Sequence, residues 1–186
     1  MIPCIKGQMY NQARKTVTNL FGPDALEMIM QEMNQQGRMV LQSRIAASSW
    51  QPKEPFVRLI ALADEIFGCG DYAVSEKIGT LIAKESIPTI YKIFIKFGDP
   101  GYVITRGSRL WNQLNNYGRL KVDLADKNSA VAALYENQIP HKAYCHYLMG
   151  YSKGTLEVSG AHGIAIKEIS CQLDGADHCE FIAKWY

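Results

Sequence analysis

The feature of this 186-residue chain that most constrains its fold is a change of hydrophobic period at Gly118. Before it, apolar residues recur at helical spacing; after it, they alternate. Met9, Ala13, Val17, Leu20 and Phe21 mark a first helix that stops at Gly22, and Pro23 sits where a second would open. Leu26, Ile29, Met30 and Met33 continue on one face as far as Gly37. A helix is expected from Met39 to Trp50, broken by Gln51-Pro52, and another from Glu54 to Phe67, stopped by Gly68. Asp71 suits an N-cap for a helix carrying Val74, Ile78, Leu81 and Ile82. Ser86 and Pro88 are expected to open a further helix, closing near Gly98. Asp99-Pro100 opens one that carries Leu110, Trp111, Leu114 and Tyr117.

Beyond Gly118, Leu120, Val122 and Leu124 alternate with Lys121 and Asp123, as in a half-buried strand. The pattern predicts strands near 119–125, 130–136, 163–173 and 179–186, with a helix from Pro140 to about Val158 between the pairs. Many helices followed by two hairpins give an α+β fold: an N-terminal helical layer on a four-stranded antiparallel sheet. No repeat or long linker interrupts the chain. One domain is expected, with a helical part over 1–118 and a sheet-containing part over 119–186.

Composition excludes several classes of function. A formal charge of +2 with scattered Lys and Arg leaves no footprint for nucleic acid. No apolar run reaches the roughly 18 residues of a membrane span, and the N-terminus lacks a signal-peptide layout. Five cysteines without an export signal point to a reducing, cytoplasmic setting with free or metal-bound thiols. No triad order, phosphate loop or dinucleotide fingerprint is present.

The sharpest chemistry lies between Cys145 and Tyr186. Cys171 and Cys179 flank the Asp174-Gly175 turn, and a simple register sets them opposite each other, roughly 4.5–5.5 Å apart at Cβ. Cys145, on the preceding helix, can bring a third sulfur. Glu168 lies three residues before Cys171, so a regular strand points it to the opposite face, and a bulge is needed to unite the two. The spacing is not that of a zinc finger. Three buried, reduced cysteines packed as small hydrophobes are the alternative. His178, beside Cys179, is either a substitute ligand or a solvated turn residue; Cys4 and Cys69 are isolated thiols. Tyr91, Phe94, Tyr102, Trp111, Tyr144 and Tyr147 are candidates to line an apolar pocket between helices and sheet, with core packing as the alternative.

Over the sheet-containing part, Cys145-x4-Gly150-Tyr151-x2-Gly154 followed by Glu168-x2-Cys171-x3-Gly175-x3-Cys179 resembles the vinyl-4-reductase-type ligand-binding domain. The resemblance is strongest to sensor domains of phenol- and xylene-responsive transcription activators. It implies a structural zinc ion held by Cys145, Glu168, Cys171 and Cys179 beneath a pocket for an aromatic effector. The opening, Ile5-Lys6-Gly7 through Phe21-Gly22, is similar to that of haem–nitric-oxide-binding-like domains, which share the architecture with vinyl-4-reductase and transport-complex subunit families. All four histidines, His141, His146, His162 and His178, lie late in the chain, and Tyr151-Ser-Lys-Gly lacks the Tyr-x-Ser-x-Arg pattern of the haem sensors. The expectation is therefore no haem. The same lack of an earlier histidine argues against phenols as the effector.

The function expected is a non-enzymatic small-molecule sensor or binding protein with an apolar or aromatic ligand and zinc. Its output would pass through a homodimer or a separate signalling partner. The alternatives are an enzyme or accessory in reduction of a tetrapyrrole vinyl group, and an assembly or tethering subunit.

Overall fold

A computed structural model describes residues 2–90 and 99–186, with side chains 88–90 set aside. Tyr91 and Phe94 of the expected pocket lie outside the described residues. The chain begins with β1 (Cys4–Lys6) and three helices, α1 (Gly7–Phe21), α2 (Ala25–Gln31) and α3 (Gln35–Gln42). There follow β2 (Trp50–Pro52), α4 (Lys53–Phe67), α5 (Ala73–Ile90), α6 (Pro100–Ile104) and α7 (Gly107–Leu114). The C-terminal part holds β3 (Arg119–Asp126), β4 (Ser129–Tyr135), α8 (Lys142–Val158), β5 (Ala165–Ser170) and β6 (His178–Lys184).

The four expected strands form one antiparallel sheet in the order β3-β4-β6-β5, so the last strand in sequence lies inside the sheet. On β6, Cys179, Phe181 and Ala183 face inward while their neighbours are more exposed, the period-2 pattern of a sheet with one covered face. The main core gathers Tyr10, Phe56, Leu59, Ile60, Ile78, Ile82, Tyr144 and Tyr147 among α1, α4, α5 and α8. Each such large side chain stabilises the fold by about 1.5–3 kcal/mol relative to exposure. A second core of Ile104, Leu156, Ala183 and Trp185 sits where α6 and the end of α8 meet the sheet. Cys145, Met149, Cys171, Cys179 and Phe181 make a third.

Three expectations for the helical half are corrected. The helix expected over 39–50 occupies Gln35–Gln42 instead, and Gly37 lies inside it. The Asn34 side chain starts it early by accepting from Gly37 N at 2.7 Å. The following segment stays irregular because its carbonyls serve α1: Ser49 O accepts from Gly7 N at 2.8 Å and Ala47 O from Gln8 N at 2.9 Å. Its continuation, Trp50–Pro52, pairs with β1, a two-stranded sheet the sequence did not announce. Ser86 opens no new helix. It lies within α5, its hydroxyl donating back to Ile82 O at 2.6 Å, as a buried mid-helix serine does. The helix begun at Asp99-Pro100 ends at Ile104 and restarts at Gly107, leaving Tyr117 beyond it.

Candidate metal centre and adjoining cavity

Three elements bring the Cys145–Cys179 constellation together. Cys145 projects from α8, Glu168 from β5, Cys171 from the end of that strand and Cys179 from β6. One ligand atom from each lies within 4.8 Å of the other three. The bulge that the Glu168–Cys171 spacing requires is present: Glu168 pairs with Phe181 but Ser170 with Glu180, so one residue is extruded. That residue is Ile169, 50% exposed, and its extrusion carries Cys171 onto the face of Glu168. The chain then makes a short 3₁₀ turn over Gln172–Asp174 and reverses at Gly175, whose φ of 89° suits glycine.

The three thiols are buried and free, with Cys179 and Cys171 sulfurs 4.0 Å apart, far beyond a disulfide bond. Hydrogen bonding from Cys145 draws the Cys179 thiol well below its ordinary range, helped by Gln172 N at 3.5 Å. That same bond and burial push Cys145 far up, and burial raises Cys171. The three thiols thus share their protons, and the cluster gives up one before the others. Lys142 bridges Glu168 Oε2 (3.1 Å) and Asp174 Oδ2 (2.8 Å), which holds its ammonium charged. Glu168 Oε1 is buried with no hydrogen-bond partner.

His178 stands apart from the cluster. Its ring stacks on Tyr135 at 4.6 Å and its Nε2 lies 3.3 Å from Glu180. Cys69 is exposed and Cys4 half-buried, and neither is among the four converging residues.

Beside the thiols, α1, α4, α6, α7, α8 and β3 enclose an apolar cavity of about 120 Å³. Trp111, Tyr144 and Tyr147 line it with Met9, Phe56 and Leu110. Trp111 donates to Tyr117 O at 3.0 Å, and the Tyr117 and Tyr144 hydroxyls meet at 3.0 Å. Burial raises the pKa of both phenols, so they are neutral donors. Tyr102 is not in the wall. It lies in an outer cleft, its ring stacked under the Arg106 guanidinium at 3.4 Å. Arg106 borders both spaces.

Two residues near the thiols escaped the sequence reading: Lys53 and Asn137, 0% and 2% exposed. The signal for Lys53 was its place in α4, in helical register with Phe56, Val57 and Ile60 on the buried face. Nothing in the sequence marks Asn137.

No protein-family model matches the chain, and no curated protein matches it. Solved structures do. An H-NOX protein from S. oneidensis in the Fe(II)NO ligation state superposes with a TM-score of 0.74 at 14% identity, over 98% of this chain and 99% of that one. An oxygen-binding H-NOX domain related to soluble guanylate cyclases gives 0.68 at 14% identity, over 97% and 95%. A structure from work on haem distortion in the H-NOX family gives 0.70 at 13%, over 97% and 95%. This likeness corrects the expectation of no haem. The chain has the fold of structures that include Fe(II)–NO and oxygen complexes. At these identities the finding that stands is the fold: this chain is built as H-NOX domains are.

Proposed function

We propose that this chain is a non-enzymatic small-molecule sensor or binding domain, with its ligand in the apolar cavity and a structural zinc ion at Cys145, Glu168, Cys171 and Cys179. One observation carries the reading: α8 turns Tyr144 and Tyr147 to the cavity and Cys145 to the thiol cluster. An occupant of either site bears on the same helix.

The donor set suits zinc. A tetrahedral ion with Zn–S bonds of about 2.3 Å holds its ligand atoms roughly 3.8 Å apart, so atoms already within 4.8 Å need only a small closure. The orphaned Glu168 Oε1 supplies a buried acceptor, and four protein ligands leave no open position, so the ion braces the hairpin against α8. The nearer kinship with vinyl-4-reductase-type and phenol-responsive sensor domains is part of this proposal and rests on the same motif. So are action as one domain and output through a second copy or a separate partner.

For the ligand, size is the first guide. A dry cavity of about 150 Å³ accepts benzene, so this one, at about 120 Å³, sets a single small apolar ring as its upper size. A second reading, haem, is favoured by superposition on H-NOX structures over nearly the whole chain. Haem would supply an iron able to bind a diatomic gas. Met9 or a lining phenol would face the iron, and Arg106 is the cation available to a propionate. Haem is much larger than the present cavity, so its wall would have to open.

Native mass spectrometry of the protein as purified, followed by titration with hemin and with a panel of single-ring aromatics, tests these readings. A retained ring-sized molecule, or a melting-temperature rise with one of the panel, supports the first. A stoichiometric Soret band supports the second. No adduct, no thermal shift and no Soret band would end both.

A further inference from the structure

We propose that Lys53 and Asn137 form the outer shell of the thiolate centre, Lys53 as its buried counter-cation and Asn137 as the residue that positions Cys179. The inference rests on the zinc reading above and deepens it.

Its starting point is a lysine fully removed from solvent. Lys53 Nζ donates to two neutral oxygens, Asn137 Oδ1 at 2.6 Å and the Gln138 carbonyl, and lies over the rings of Tyr117 (4.3 Å) and Tyr144 (4.5 Å). Among the described residues no carboxylate pairs with it. A buried ammonium in such surroundings is expensive unless negative charge is close. Burial pulls its pKa down to about 7, and the Cys145 and Cys179 sulfurs pull the other way. Three thiolates and one carboxylate outweigh a divalent ion by two charges, and buried excess charge needs a counter-ion. Lys142 meets the Glu168 side of the cluster, and Lys53 lies over the ring of Tyr144, the residue before Cys145.

Asn137 connects them. Its Oδ1 accepts the lysine's hydrogen bond, its Nδ2 is buried with no partner, and it reaches Cys179 through Gln172, whose N–H lies 3.5 Å from Cys179 Sγ. Its own N–H donates to Gln172 Oε1 at 3.1 Å, tying it to the residue after Cys171. The loop that holds it is strained. Glu136 (φ 53°) and Ile139 (φ 61°) flank it in the left-handed region, where a β-branched residue is rarely found. Backbone cost concentrated around one buried amide fits a residue held for its position. Amides and cations of this kind orient metal ligands and tune their basicity.

The test uses full-length protein, zinc-loaded, metal-free and cobalt(II)-substituted, with the variants Lys53→Met and Asn137→Ala. Chelator competition should show each variant holding zinc at least about tenfold more weakly than wild type. In cobalt protein the sulfur-to-metal charge-transfer band should move in Asn137→Ala while the tetrahedral d–d bands persist. Lys53→Met should also raise the melting temperature of metal-free protein while lowering affinity for the metal, a pair of opposite signs that a plain packing role does not give. Wild-type zinc affinity and an unchanged cobalt spectrum in both variants would overturn the proposal while leaving the zinc site intact. A wild type that takes up neither zinc nor cobalt overturns the zinc reading, and this inference with it.

Discussion

Gly150 on α8 lies directly against the carbonyl of Glu76 on α5, with no room for a side chain between them. Gly154 meets Thr80 one turn further on, and Gly79 on α5 meets the backbone of Tyr147. The two helices thus touch backbone to backbone, and the Gly150-x3-Gly154 spacing exists for that approach. Gly150→Ala or Gly154→Ala should destabilise the protein by at least the about 1–3 kcal/mol typical of overpacking. Urea unfolding checks it, with Ser152→Ala, on the same helix, as the control.

The metal centre gives the second prediction. Protein purified without chelator should carry about one zinc per chain, the complement of a closed four-ligand site. Cys171→Ser should lose the metal and melt about 5–10 °C lower, as a loss of roughly 2–3 kcal/mol does in a chain of this size. Thiolate ligands are protonated in acid, so acidification should release any zinc held there. Elemental analysis returning no zinc, with all three thiols reacting freely on unfolding, would leave them as core residues.

His141 provides a pH prediction. Its Nδ1 accepts from Ala143 N at 3.2 Å, capping α8, and burial lowers its pKa below the usual 6.5, against the pull of Glu65 and with the push of Arg58. The folded state thus prefers neutral imidazole. The contribution is complete above the unfolded value and declines as pH falls through 6.5 and then through the folded value. Asparagine supplies a capping oxygen in place of Nδ1 without titrating, so His141→Asn should remove this part of the acid slope while retaining most of the cap's about 1 kcal/mol. Stability of the two proteins across pH 5–8, compared in metal-free form, should diverge on the acid side; parallel curves would refute the assignment.

The cavity gives the last. Leu114, 5% exposed, lines it from α7. Leu114→Phe should occupy part of the space and abolish the thermal shift produced by a bound aromatic, at a cost in stability below about 3 kcal/mol. A ligand-induced shift equal to that of wild type would show that the ligand binds elsewhere.

The sequence alone determined what depends on local period and turn chemistry. The change at Gly118 gave the α+β class and the four strands, and proline, glycine and small polar residues located most helix ends. The spacing of Glu168 and Cys171 even required the bulge that extrudes Ile169, because side chains on a strand alternate by two. Tertiary structure decided whatever depends on what lies opposite. The segment 43–49 is irregular because its carbonyls cap α1, and α5 runs on past Ser86 because packing against α8 outweighs the local break signal. The sequence could not say that β6 enters between β4 and β5, since pairing partners are set by packing over long separations. Nor could it say that Lys53 is buried beside the thiols. Its helical register marks a buried face, but only the fold reveals that Asn137, 84 residues away, accepts its hydrogen bond.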